Sequence, residues 1–245
     1  MISGDLTQRV PAGETATGWS LVVPVKDTAR AKSRLAPALG GRRPELALAF
    51  ARDTVAAALR CAAVSGVTVA TDDPAVAEAL RSAGATVIGE GNVPELNQVI
   101  ATAVRTLPET AKVAVVLGDL PALTAAALER ALALADRHDT AFVPDAEGTG
   151  TTLLTAKRPA LLQPSFGAGS ASAHASSGAV RLAGWGLSRV RRDVDCVADL
   201  VEAARLGVGQ HTRALMDEID LAALEAADLA QASFESLVLE HIGGR

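Results

Sequence analysis

Short apolar runs rich in β-branched residues recur at 20–25, 67–70, 85–88, 113–117 and 141–143, without the alternation of a half-exposed strand. Runs of this kind predict strands buried on both faces. Between them, 44–61, 74–83, 94–106 and 124–137 carry Ala, Leu and Val at helical spacing, and the first three open on Pro. At the first helical position the N–H that Pro lacks would have no partner anyway. The alternation predicts an α/β domain with a mainly parallel central sheet and helices on both faces. Ligands of such sheets bind beyond the carboxyl ends of the strands.

Past 144 the rhythm changes. Segments 151–155 and 178–182 read as short strands, joined by a loop containing Phe166-Gly167-Ala168-Gly169-Ser170, and are expected to form an insertion over the edge of the sheet. From 195 the chain turns helical, and 221–242 predicts one long Ala/Leu helix whose apolar face packs on the domain or on a second subunit as a homodimer contact. The expected organisation is a flexible N-terminal tail at 1–18, a single domain at 19–210 and a C-terminal helical extension at 211–245.

Composition narrows the classes. A 245-residue chain that is 49% hydrophobic can bury a large core, which excludes a disordered or fibrous protein. A net charge of −5 argues against a surface that coats nucleic acid. Cys61 and Cys196 have no C-x-x-C spacing and read as buried small hydrophobes rather than a disulfide framework or zinc site. The first 18 residues lack the apolar core of a secretory signal, and Arg60 and Asp119 interrupt the longest apolar stretches, so neither export nor a membrane span is expected and the protein reads as cytoplasmic.

Several phosphate and metal motifs are absent. Without a Gly-Lys dipeptide there is no Walker A loop, whose Lys must reach the β and γ phosphates. Gly89-Glu90-Gly91 follows a predicted strand, but Pro94 stands where a dinucleotide fingerprint needs its third Gly. H-E-x-x-H does not occur among the four histidines.

Four segments carry candidate chemistry, three of them at strand ends. The first strand runs into a loop where residues 26–43 hold two Lys and four Arg against one Asp, a surplus of five positive charges in an acidic chain. Such a loop either wraps a triphosphate, with Lys as a point charge and Arg as a two-pronged donor, or is a solvated basic face. The fourth strand ends in Gly118-Asp119, where a fixed carboxylate suits Mg²⁺ and Gly lets substrate approach the backbone; otherwise Asp119 starts a turn or caps the helix near Thr124. The fifth ends in Pro144-Asp145, followed by Gly148-Thr149-Gly150-Thr151. Here Asp145 either completes a metal site with Asp119 or belongs to a hairpin turn. The fourth segment, Ser165 to Ser170 with His174 beyond, reads as a second anion site or as a surface loop. His174 is read as a substrate contact or as a hydrogen-bonded helix residue. Asn97 is read as a base-edge reader or a helix cap. Trp19 and Trp185 are expected to pack, and Asp193 and Asp195 to bridge to Arg189, Arg191 and Arg192.

Taken in order, Val23-Pro24-Val25-Lys26 with Ala31-Lys32-Ser33-Arg34-Leu35, Gly118-Asp119-Leu120-Pro121-Ala122-Leu123, Pro144-Asp145 with Gly148-Thr149-Gly150-Thr151, and Phe166-Gly167 with Ser170, His174 and Gly178 resemble the 2-phospho-L-lactate or phosphoenolpyruvate guanylyltransferases of coenzyme F420 biosynthesis. The resemblance runs from about Trp19 to Val208. It implies an incomplete Rossmann-like nucleotidyltransferase fold that moves GMP from GTP to a small phosphorylated three-carbon acid and hands the product to the next enzyme. It further implies Pro24, Lys26, Lys32, Arg34, Asn97 and Gly118 at the nucleotide, with Lys26, Lys32, Arg34 and Asp119 catalytic. Asp119 and Asp145 would hold Mg²⁺, and Thr151, Gly167, Ser170 and His174 would meet the acid.

That chemistry agrees with the residue types. An anionic acceptor phosphate needs no side-chain base to attack the α-phosphorus, so catalysis reduces to positioning and charge neutralisation. Two rivals remain at this stage: nucleotide transfer to a molybdopterin or sugar phosphate, and a non-catalytic nucleotide-binding protein of the same fold.

Overall fold

The computed structural model describes residues 18–28, 32, 35, 40–90, 95–219, 224 and 226. The predicted tail up to 17, Arg34 and nearly all of the predicted helix at 221–242 lie outside them.

Seven strands form one sheet in the order β3-β2-β1-β4-β6-β5-β7. They are β1 Trp19–Pro24, β2 Val64–Ala70, β3 Thr86–Ile88, β4 Lys112–Val116, β5 Thr140–Pro144, β6 Thr151–Ala156 and β7 Val180–Arg181. Strands β1, β2, β3 and β4 pair in parallel, β6 runs antiparallel to both β4 and β5, and β7 pairs in parallel with β5. The expected edge insertion is therefore corrected. All six residues of β6 are buried, and this strand wedges between β4 and β5 in the middle of the sheet, while only two-residue β7 lies at the rim.

Four helices, α1 Arg43–Leu59, α2 Pro74–Ser82, α3 Leu96–Val104 and α4 Ala125–Ala135, follow β1, β2, β3 and β4. Their local logic is visible: α1 and α2 have Pro in the first turn, Asp73 caps α2, and Thr124 caps α4 through the Ala127 amide. Short helices α5 Ser170–Ser176, α6 Ser188–Arg191, α7 Val197–Leu206 and α8 Gln210–Met216 complete the described chain.

Apolar residues on the two faces of the sheet build separate layers. Leu21, Val23 and Val69 pack toward α1 and α4, whereas Val22, Val113 and Val115 pack toward α3. A third cluster joins Phe50 of α1 to Leu200 of α7 and Met216 of α8. Helix α8 thus belongs to the core, and Asp53 of α1 caps it by accepting the amides of His211 and Thr212 at 3.0 and 2.8 Å. No helix among the described residues is long and apolar enough to cross a membrane.

Candidate active site

The chain leaves β1 for β2 on one side, and β4 lies on the other. At such a reversal the loops beyond neighbouring strands diverge and leave a crevice. A cavity of about 310 Å³ opens there, lined by Pro24, Lys26 and Lys32 from the β1 side, Gly118 and Asp119 from the β4 side, and Asp195. Five of the sequence-predicted residues therefore meet in one place.

Gly118 works differently from the expectation. A Cβ on it would stand 2.8 Å from Val25 Cγ2 and 3.2 Å from the Pro24 carbonyl, so the missing side chain admits β1 itself rather than a substrate. The next residues are anchored from α1: Thr54 Oγ1 donates to the Phe50 carbonyl at 2.9 Å and accepts the Leu120 amide at 3.1 Å. Asp73 secures the other wall, accepting the Thr28 amide and hydroxyl at 3.0 and 2.6 Å.

Lys32 hydrogen-bonds to Asp119 Oδ2 and, at 2.7 Å, to Asp195 Oδ1. Its burial alone would lower the ammonium's pKa, but the neighbouring carboxylates Asp119 and Asp195 outweigh that and raise it above the ordinary lysine value. The same segment carries Asp193, whose carboxyl is pushed up to about 8 by burial first and by Asp119 and Asp195 next. Val194 explains the convergence: wholly buried, it donates its amide to the Asp119 carbonyl at 3.1 Å and so brings its two acidic neighbours to β4. Asp119 Oδ1 is buried with no hydrogen-bond partner.

Asp193 and Asp195 thus escape the expected bridges to nearby arginines. Arg189 donates to the carbonyls of Ala122 and Gly207, and Arg192 pairs with Glu147 and Asp199. Asp199 in turn accepts the amides of Asp195 and Cys196, both at 3.1 Å, which fixes the acidic segment at the start of α7. Sequence reasoning missed this pair. The signal available was Asp-Val-Asp, two carboxylates flanking one apolar residue.

Asp145 is corrected in the opposite direction. Its Oδ1 accepts the amides of Gly148 and Thr149 at 2.6 and 2.9 Å, and its Oδ2 accepts that of Gly150 at 2.7 Å. A carboxylate engaged by three amides in its own turn is a turn organiser, so the hairpin reading holds, and Asp145 is not among the residues that line the cavity with Asp119. Arg191 braces the same turn by donating to the carbonyls of Pro144, Asp145 and Ala146. Asp119 likewise caps no helix, a role that Thr124 fills. Among the described residues no group of three or more His, Cys, Asp or Glu is arranged to hold a metal.

Neither Asn97 nor His174 faces the cavity. The Asn97 side chain donates to the Phe166 carbonyl at 3.0 Å and accepts the Phe166 amide at 2.7 Å, so it mimics a strand neighbour rather than reading a base or capping a helix. His174 is wholly buried, with Nδ1 2.9 Å from Thr151 Oγ1 and Nε2 accepting the Ser165 amide at 3.0 Å, which leaves no ring nitrogen for substrate. Burial lowers its pKa. Thr151 opens β6 beside the end of β4, and Gly167, with φ of 131°, turns the chain from Phe166 toward buried Ser170.

Two smaller expectations also fail. Trp19 is buried, but Trp185 is 91% exposed, because Gly184 and Gly186 hold left-handed φ values that carry it outward. Cys61 is buried while Cys196 is half-buried at the rim of the acidic segment.

Solved structures share this architecture. One, assigned as a nucleotide-diphospho-sugar transferase from Desulfovibrio desulfuricans G20, superposes with a TM-score of 0.59 at 17% identity over 86% of this chain and 95% of its own. The 4-diphosphocytidyl-2C-methyl-D-erythritol synthase of Anaerococcus prevotii gives 0.52 at 9% identity over 78% and 96%. The fold is the Rossmann-like one that these structures share. A family model described as guanylyl transferase CofC like matches residues 19–230, and the chain belongs to that family. Proteins named phosphoenolpyruvate guanylyltransferase from Thermomonospora curvata and Streptomyces coelicolor are each 49% identical to it, over 80% of this chain and 88% and 95% of theirs.

Proposed function

We propose that this protein transfers GMP from GTP to phosphoenolpyruvate, releasing pyrophosphate, at an early step in the assembly of coenzyme F420. The observation that carries the reading is the meeting of Lys26, Lys32 and Asp119 with Asp195 in the crevice between β1 and β4. Membership of the guanylyl transferase family and the names of the relatives support the same donor and acceptor.

In the proposed reaction an oxygen of the acceptor phosphate bonds to the α-phosphorus as the bond from that phosphorus to the β-bridging oxygen breaks. The incoming oxygen already carries negative charge, so no proton has to be removed. Bringing two phosphates within bonding distance costs several kcal/mol unless cations offset their repulsion. Lys26 and Lys32 supply fixed positive charge at the crevice, with Arg34 proposed to join them at the triphosphate. Thr151, Gly167 and Ser170 are proposed to meet the acid, at the same end of the sheet. The cytoplasm, where GTP is supplied, is the proposed site of the reaction.

The donor set also fits Mg²⁺. Asp119 offers a buried oxygen without a partner, and Asp195, which meets it across Lys32, brings a further hard oxygen ligand of the kind this ion prefers. Asp119 and Asp195, the two carboxylates that share Lys32, are proposed to hold it in place of the Asp119–Asp145 pair. When bound, it would neutralise charge on the reacting phosphates.

Mass spectrometry of the product tests the whole proposal. GTP with phosphoenolpyruvate should give the GMP adduct and stoichiometric pyrophosphate. Turnover confined to 2-phospho-L-lactate would reassign the acceptor, and turnover confined to a sugar phosphate, or to CTP or ATP, would refute the reading.

A further inference from the structure

We propose that His174 is a positioning residue for the acceptor acid: it fixes the Thr151 hydroxyl as a hydrogen-bond donor to that acid, while Asn97 helps it hold the adjoining loop. The inference rests on the reading above of Thr151, Gly167 and Ser170 as the acceptor's contacts.

The partners of the imidazole fix where its proton lies. The Ser165 amide can only donate, so Nε2 must present its lone pair. A neutral ring with a bare Nε2 carries its hydrogen on Nδ1, and that hydrogen is given to Thr151 Oγ1. Thr151 therefore accepts from His174 and must direct its own O–H elsewhere. Among the described residues no other group bonds to this hydroxyl. A hydroxyl so committed can donate to an anionic oxygen. One left to rotate could equally turn its lone pairs toward that anion and repel it.

Packing enforces the state of the ring. Phe166 meets the imidazole edge-on at 5.2 Å and Phe142 lies tilted at 5.9 Å, so the imidazole is held between aromatic walls. Charging the ring would set a second N–H against the Ser165 amide, and burial disfavours that charge.

Asn97 completes the clamp. It binds both backbone groups of Phe166, and His174 binds the amide of Ser165, so two successive residues are fixed just before the chain turns at Gly167. A single histidine thereby sets both the hydroxyl of β6 and the register of the loop that precedes Ser170. Neither nitrogen needs to touch the acid.

The test compares the unaltered enzyme with His174→Phe, His174→Asn, Thr151→Val and the double variant Thr151→Val/His174→Phe. His174→Phe and Thr151→Val should each raise the acceptor KM about tenfold, the loss expected for one hydrogen bond to a charged group, with the KM for GTP changed by less than about twofold. His174→Asn, whose amide nitrogen can stand near Nδ1, should recover part of that loss. The double variant should be no worse than the weaker single one, because the histidine acts through the threonine. Equal rises in both KM values, or losses that multiply in the double variant, would overturn the inference. Long-range ¹H–¹⁵N spectra of the unaltered chain give an answer independent of variant folding: an Nδ1–H tautomer supports the inference and an Nε2–H tautomer overturns it. An unaltered enzyme that makes no adduct with the acid refutes the functional reading and this inference together, whereas an active enzyme whose variants lack the KM split refutes the inference alone.

Discussion

The ammonium of Lys32 lies 2.7 Å from Asp195 Oδ1, joining positions 163 residues apart, and also bonds to Asp119 on the end of β4. A cationic segment after β1 and an acidic segment before α7 are thus brought to one point. The same carboxylates are the ones proposed to hold a metal.

Lys32 and a divalent cation should therefore compete. Replacing Lys32 with Met is expected to lower kcat at least about a hundredfold, through loss of fixed charge at the phosphates. In the absence of nucleotide the same variant should bind Mn²⁺ about tenfold more tightly, because Asp119 and Asp195 lose their built-in counter-ion. Calorimetric titration measures it, and weaker Mn²⁺ binding would contradict the shared site.

Asp145 and Asp195 should separate cleanly. Asp195→Asn is expected to weaken divalent-cation binding. Asp145→Ala should leave that binding within about twofold while costing about 1–3 kcal/mol of stability, because three amides of its turn lose their acceptor. Melting curves alongside metal titrations distinguish the two; a tenfold loss of metal affinity in Asp145→Ala would restore the original assignment.

Gly118→Ala tests the seam between β1 and β4. The new methyl would press on Val25 Cγ2 at 2.8 Å, with the Pro24 carbonyl behind it, so the crevice walls must part. An overpacking cost of about 1–3 kcal/mol is expected, with a drop in kcat because Asp119 moves with its neighbour. An alanine variant as stable and active as the parent would show that the seam has slack.

Asp193 sets the pH response. Its carboxyl titrates near 8 when folded and near the ordinary 3.8 when unfolded, so between those values the folded state holds a proton that the unfolded state has lost. Stability on this account is greatest below 3.8, declines as pH rises toward 8 and levels off above it. Asp193→Asn should remove the decline and raise Tm at pH 8 in a chelating buffer by about 2–4 °C for each kcal/mol relieved. A variant whose melting falls with pH as steeply as the parent's would exclude Asp193 as the source.

Much of the fold was legible because its signals are local. The β-branched runs, the Pro residues of α1 and α2 and the Thr124 cap each act within a few residues, and the strands and helices they imply are present. The insertion of β6 between β4 and β5 was not legible, since a six-residue apolar run does not say which neighbours it will pair with. At the site, Lys26, Lys32 and Asp119 could be found from their places after strands. Asp145 misled because a carboxylate at a strand end serves equally as a ligand or as a turn organiser, and only the position of the Gly148–Gly150 amides decides. Asp193 and Asp195 stayed hidden because what recruits them is the hydrogen bond from Val194 to Asp119, formed across 75 positions of the chain.

The reversed direction of β6 has an evolutionary corollary. Its leading end, rather than its trailing end, reaches the reactive rim, so the hairpin joining β5 to β6 can lengthen, shorten or change composition without redrawing the seam of β1 and β4. On the functional reading proposed above, a change of acid would call on this hairpin's end at Thr151 together with the loop at Gly167 and Ser170, while the seam proposed to hold the nucleotide stays as it is.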